Sequence, residues 1–456
     1  MKFLSFFAIL LSLLFSSCSE PTTAIPYSRQ ELKKRTFLYF WHTPDSVHYQ
    51  TPDRYPTLTF SSIAATGFGL SSYLAGVENG YITREQAAER VRNTLKVLWE
   101  LPQGPDTAGV SGHKGFFYHF LRLDDAHRFK QVELSSIDTG LLMAGVLSCM
   151  SYFDQNNELE VEIRQLADQL YRRVDWSWMM QTDGTMSMGW HPEKGFIESS
   201  WRGYNEAMVL LIMAMGSPTH PIAEGAWKKW CESYVADTFY QQENIQFDPL
   251  FGHQYSHVWI DFRGIQDSLM KARNDNYFSN SRKATLANRA YCIHNPMGWD
   301  GYGEQCWGLT ACDGPFNGEL TVDGRVRKFF DYRARGAASI QIVDDGTIAP
   351  TAAGGSFPFT PEESEQCLSH LWNRFYPQLV GEYGFKDAFN LTFRNEKYPD
   401  GWFDVDYLGI DQGPILLQIQ NHENALIWNV MKKNPYIVRG LERAGFTGGW
   451  LDESGI

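Results

Sequence analysis

Residues 183–210 read DGTMSMGWHPEKGFIESSWRGYNEAMVL, the densest run of chemically capable side chains in the sequence. Asp183-Gly184 signals a tight turn. Trp190, Trp201, His191, Glu193, Glu198 and Glu206 follow within a short loop that runs into an apolar segment. Indole faces stack on the C–H faces of sugar rings, and cleaving a glycosidic bond takes one carboxylic acid and one carboxylate base. The segment therefore fits a carbohydrate-cleaving site. The plainer alternative is a surface loop that is merely rich in aromatics.

Three more carboxylates stand at comparable places. Asp138 in SSIDTG precedes a buried helix, and its plain reading is an N-cap. Asp387 in YGFKDAFN is otherwise a turn residue. Asp411 in GIDQGP resembles a cap ahead of Pro414. A second aromatic loop, WDGYGEQCWG over 299–308, offers Tyr302 and Trp307 for stacking and Glu304 for hydroxyls. Gly115–Phe120 reads as a strand or core segment, with His113 and His119 as structural residues rather than metal ligands. HExxH, P-loop, GxSxG and CxxC patterns are absent, so nothing points to a metal or other cofactor.

Composition narrows the partner. The net charge of −13 and the lack of a basic run argue against nucleic acid and against polyanionic glycans. A neutral polysaccharide or oligosaccharide fits, and 15 Trp suit a groove for it. The start, MKFLSFFAILLSLLFSSCSE, has a short apolar run before small residues and a cysteine. It predicts a lipoprotein signal over 1–17 with Cys18 lipidated, although Phe15 departs from the usual Leu; a simple secretory signal is the alternative. Residues 18–26 form a tether to a single domain over 27–456. The expected location is lipid-anchored, in the periplasm or at the outer-membrane surface of a Gram-negative bacterium, as a monomer. Of the remaining six cysteines, Cys306 and Cys312 are close enough in sequence to pair, and Cys149 reads as a buried thiol.

Helical patterns fill most of the rest. Thr83 and Gln86 make a capping box before the Val91, Leu95, Leu98 stripe, and Ile163, Leu166, Leu170 and Val174 make a second. Helices are also predicted over 28–42, 60–76, 138–153, 204–215, 222–237, 281–293, 362–376, 412–431 and 435–444. Apolar helices alternate with amphipathic ones, which predicts an all-α fold of two concentric layers, an α/α toroid. Short β-hairpins are expected in the loops over 106–125, 183–203, 251–268, 295–318 and 345–361.

The segments SSIDTGLL, GWHPEKGFIESSWRGYNEAM, YGEQCWGLTACDGP, GTIAPTAAGGS, YGFKDAFN and LGIDQGPILL resemble the glucoamylase-type proteins of Bacteroidetes, specifically glycoside hydrolase family 144. The resemblance implies a six-fold α/α toroid that hydrolyses β-1,2-glucan by inversion to short sophoro-oligosaccharides. It places the acidic centre on Asp138, Glu206 and Asp387. Glu206 is expected as the acid, Asp387 as the base, and Asp138 as a partner that tunes Glu206 or holds a hydroxyl. Trp190, Trp201, Arg202, Tyr204, Tyr302, Glu304, Trp307 and Asp411 are expected to bind substrate. Three alternatives compete: a glycan-binding lipoprotein without catalysis, a glucoamylase-like or exo-acting glucosidase, and a lyase. A lyase acting on uronic acids would favour a basic cleft, which this acidic chain does not suggest.

Overall fold

The computed structural model describes residues 25–453. The signal segment, Cys18 and all but the last two tether residues lie outside them. The chain is mostly helical. In order the helices are α1 (Arg29–His42), α2 (Ile63–Glu78), α3 (Arg84–Glu100), α4 (Ser136–Tyr152), α5 (Glu158–Arg173), α6 (Met208–Gly216), α7 (Gly225–Cys231) and α8 (Tyr255–Trp259). They continue as α9 (Ser268–Ala272), α10 (Tyr277–His294), α11 (Pro350–Gly354), α12 (Pro361–Phe375), α13 (Gly409–Asn424), α14 (Leu426–Met431), α15 (Pro435–Arg443) and α16 (Gly449–Glu453). None of the helices among the described residues is long and apolar enough to cross a membrane.

Two kinds of helix divide the work. α2, α4 and α6 are buried on nearly every side, as their run of small and apolar residues requires. α3, α5 and α12 bury one stripe each and leave charged faces outside. The buried set closes on itself: α2 packs on α4, α4 on α6, α6 on α8, α8 on α13, and α13 back on α2. α11 joins through α13, and through Gln254, which donates to the Ala352 carbonyl at 2.8 Å. Outside this ring, α1 covers α13 and α2, α3 and α5 cover α2 and α4, α15 covers α6, and α12 covers α11.

Several expectations change at the level of local structure. The helix expected over 222–237 stops at Cys231, and Ala236–Phe239 pairs with Gln242–Ile245 instead. Tyr240 and Gln241 both take positive φ there, which matches the strand twist of a two-residue hairpin turn. The helix expected over 412–431 breaks at Ala425, which is left-handed. The loops over 251–268 and 345–361 carry α8 and α11, five-residue helices too short to show a period. Ser135, not Asp138, caps α4. Cys306 and Cys312 are both free, buried thiols.

The backbones of α2 and α4 approach one another closely. A Cβ on Gly145 would stand 2.1 Å from the Gly67 carbonyl oxygen, and one on Gly67 would stand 2.3 Å from that of Leu141. Both contacts are with backbone, which cannot rotate away. Gly145→Ala is expected to lower unfolding free energy by about 1–3 kcal/mol, measured by denaturant titration.

Candidate active site

The ends of the inner helices make the site. A cavity of about 450 Å³ is lined by the start of α2 (Ser62, Ala64), the first turns of α4 (Ile137, Asp138, Leu141), Glu206 ahead of α6, Tyr255 at the start of α8, and Leu408 and Ile410 at the start of α13. Helix N-termini favour negative charge, so this is a place where carboxylates can be kept. Phe60, Phe120, Phe251, Tyr255 and Tyr332 give the cavity aromatic walls. Tyr332 is half exposed.

One set of acids lines this space, and a second, including Asp387 and Asp411, lies behind the lining and reaches it through Asp53 and Arg54. Asp138 and Glu206 form the first. The Asp138 amide donates to Ser135 Oγ at 3.2 Å, and that hydroxyl donates to Asp138 Oδ2 at 2.5 Å. Trp201 Nε1 donates to Ser136 Oγ at 2.9 Å, steadying the same turn. His119 Nε2 stands 3.5 Å from Asp138 Oδ1, and its Nδ1 stands 2.8 Å from Glu133 Oε1. Glu206 reaches the cavity with Oε2 unpaired. Burial, with a smaller push from the Asp138 charge, raises the Glu206 pKa to about 7. Burial would lower His119, but Asp138 and Glu133 outweigh it and hold it at about 9.

The second set collects residues far apart in sequence. Arg54 donates to Asp313 Oδ2 at 2.5 Å and to Asp53 Oδ2 at 3.1 Å. The Asp313 amide donates to Asp387 Oδ2 at 2.6 Å, while Asp387 Oδ1 is unpaired. Carboxylate oxygens of Asp313, Asp387 and Asp404 lie within 4.8 Å of one another. Burial, Asp411 and Asp313 push Asp387 well above the ordinary carboxylate range. Burial also carries Asp404 and Asp411 to about 8, in both cases with Asp313 adding to it. Groups this close titrate together rather than singly. Tyr255 feels the charges of both sets, Asp411 on one side and Glu206 and Asp138 on the other. Its hydroxyl donates to the Ile410 carbonyl at 3.1 Å. Two triads have spacing compatible with a cation: His119, Glu133 and Asp138, and Asp313, Asp387 and Asp404.

The structure brings Asp138 and Glu206 together at the cavity and Asp387 and Asp411 together in the buried cluster. It sorts the expected sugar-binding residues differently. Trp201, Tyr204 and Trp307 are core side chains, at most 6% exposed, so their faces are covered by protein. Arg202 is exposed and paired with Asp183. Trp190 is half-buried against His113 and Trp178. Tyr302 donates to Asp344 at 2.7 Å, and Glu304 is exposed. None of these seven lines the cavity. Glu193 pairs with Arg128 and Glu198 faces solvent, so only Glu206 of the three loop acids arrives at the site. Sequence reasoning missed Asp53, Arg54, Tyr255, Asp313, Tyr332 and Asp404, and read His119 as structural.

Residues 198–435, just over half of the chain, match the Glycoamylase family, described as "Putative glucoamylase". The chain belongs to this family. A solved structure of the same description from Bacteroides uniformis superposes with a TM-score of 0.80 at 32% identity, covering 93% of this chain and 99% of that one. An endo-β-1,2-glucanase from Chitinophaga pinensis, solved with sophorotriose and glucose, gives a TM-score of 0.80 at 27% identity over 93% of this chain and 100% of that one. An exo β-1,2-glucooligosaccharide sophorohydrolase (non-reducing end) from Parabacteroides distasonis is 29% identical over 92% of this chain. The chain spans 58% of the length of that curated relative. In this Glycoamylase-family member, the segment 198–435 includes Glu206, Asp313, Asp387, Asp404 and Asp411 but leaves out Asp53, Arg54, His119 and Asp138.

The Glu206 pKa has a consequence for stability. A carboxyl raised from 4.5 to about 7 favours the folded state only while protonated, so its cost appears as pH rises through this range. Glu206→Gln is expected to stabilise the fold by about 1–2 kcal/mol at pH 8 and by less at pH 5, read from denaturation midpoints.

Proposed function

We propose that this chain is a glycoside hydrolase that cleaves β-1,2-glucan with inversion. The observation that carries this reading is Glu206: a half-buried residue whose buried Oε2 is unpaired and whose pKa is raised to about 7, facing an aromatic cavity that a second set of acids reaches through Asp53 and Arg54. An acid near neutrality can hold a proton for a leaving group. Relatives named as a β-1,2-glucanase and a sophorohydrolase supply the linkage.

In this mechanism the Glu206 proton passes to the glycosidic oxygen as the C1–O bond breaks. Water attacks C1 from the opposite face and gives its proton to Asp387, directly or through a substrate hydroxyl. Asp387 is the stronger base for its raised pKa once it is ionised. Asp138 supplies the charge that helps keep Glu206 protonated. Tyr332, Phe60 and Phe251 offer faces to glucose rings.

The closed cycle of inner helices with its outer layer supports a six-fold α/α toroid forming one domain over 27–456. The N-terminal sequence supports lipidation at Cys18 and a location in the periplasm or on the outer membrane. The domain acts as a monomer.

Incubation with linear β-1,2-glucan, β-1,3-glucan, β-1,4-glucan and starch tests the reading. Sophorose or short sophoro-oligosaccharides are expected from β-1,2-glucan alone, and binding without product would point to a glycan-binding protein. Glu206→Gln and Asp387→Asn are each expected to cut kcat by about 10²–10⁴ with little change in KM. Near-normal turnover in either variant would remove that residue from its role.

A further inference from the structure

Phe251 and Tyr332 serve two cavities. Beside the cavity of Glu206 lies another of about 420 Å³, and these two side chains line both. A run of rings leads from one to the other: Tyr255 in the first cavity, Phe251 between, and Phe247 in the second, with successive ring centroids 5.5 and 5.8 Å apart. Tyr332 is 50% exposed, and its hydroxyl lies in the field of Asp387, Asp411 and Asp53. Beyond the rings, Asp248, Arg333 and Gln341 line the second cavity. A carboxylate, a guanidinium and an amide together offer acceptors and donors, and a sugar hydroxyl can meet either.

The walls of the second cavity are held by backbone contacts. One wall is a hairpin that pairs Gly336–Ala337 with Ile342–Val343. The Ala337 amide donates to the Asp248 carbonyl at 3.2 Å, and the Ser339 amide donates to Gln246 Oε1 at 3.0 Å. A Cβ on Gly336 would stand 2.2 Å from the Asp248 carbonyl carbon, so the hairpin and the segment carrying Asp248 are in backbone contact. The Phe251 amide donates to Thr310 Oγ1 at 3.0 Å, which fixes the shared wall. A pocket already in shape loses little to ordering when it binds. Cleavage in the first cavity leaves glucose on both sides of the broken bond, and a polymer must continue out of that space. We propose that the second cavity is a distal subsite for a glucose unit of the same β-1,2-glucan chain, reached across Phe251 and Tyr332, and that filling it makes longer chains better substrates than shorter ones. The subsite rests on the reading of the first cavity as the place of cleavage.

The test is kcat/KM on a ladder of sophoro-oligosaccharides of increasing length, for wild type, Ala334→Trp and Gln341→Ala. Ala334 lines the second cavity and is exposed, so an indole there fills the space. In wild type kcat/KM is expected to rise about tenfold at the length that reaches the second cavity. The ratio of long to short substrate is expected to fall about tenfold in Ala334→Trp and about threefold in Gln341→Ala. A flat wild-type profile, or a ratio unchanged in both variants, overturns the proposal, whatever rate is lost. If Ala334→Trp does not fold, the ratio in Gln341→Ala decides alone. Cleavage of β-1,2-glucan with a flat length profile would strike the subsite and leave the proposed function standing. No cleavage by wild type would remove the proposed function, and calorimetric titration with the same oligosaccharides would then decide the subsite. A Kd that tightens with length in wild type but not in the variants would uphold it, and a Kd indifferent to length would overturn it.

Discussion

Keeping carboxylates buried at one end of an apolar helical ring is the constraint on which this structure turns. An ionised carboxylate out of water is costly unless it is paired, hydrogen-bonded or neutralised by a proton. The protein uses all three. Asp53 and Asp313 are paired to Arg54, Asp138 is hydrogen-bonded by Ser135 and flanked by His119, and Glu206, Asp404 and Asp411 have pKa values high enough to hold protons near neutrality. The inner helices direct their N-termini at this space, which lowers the cost further. Raised pKa values are thus a product of the architecture, and they are what acid–base work at neutral pH requires.

The surrounding loops hold the second acid set in place. Asp387 lies between Gly384–Phe385 and Phe389–Asn390, strands that pair with Val380–Gly381 and Trp402–Phe403. Arg54 lies on a strand paired with Tyr407–Leu408, next to the start of α13 and Asp411. Asp345 and Arg335, both fully buried, form a two-pronged ion pair at 2.7 and 2.8 Å that fixes the region following Asp313. Arg335 also donates to the Cys312 carbonyl at 2.7 Å, so the segment carrying Asp313 is anchored one residue away. Short hairpins carry the chemistry, and the helical ring gives them a rigid base.

The sequence exposed the parts of this arrangement that are local. The capping box at Thr83 and the stripes of α3 and α5 are periodic signals within one helix. Asp138 and Glu206 stand out because each immediately precedes or opens an apolar helix. The second acid set is not local: residues 53, 313, 387, 404 and 411 meet only after the ring closes, and no spacing announces that. Aromatic density misled in the other direction. Trp201 and Trp307 are conspicuous in sequence but serve the core, whereas Phe60, Phe251 and Tyr332 line the cavity from unremarkable stretches. α8 and α11 were hidden because five residues are too few to display a helical period.

Acid catalysis at this site depends on Glu206 holding a proton near neutral pH. Carbon-13 NMR of the glutamate side-chain carboxyls, compared between wild type and Glu206→Gln to assign the one missing signal, measures this directly. The Glu206 carboxyl is expected to titrate near pH 7 in the substrate-free protein. Titration near the ordinary value of 4.5 would leave Glu206 ionised at neutral pH and without the proton an acid must give.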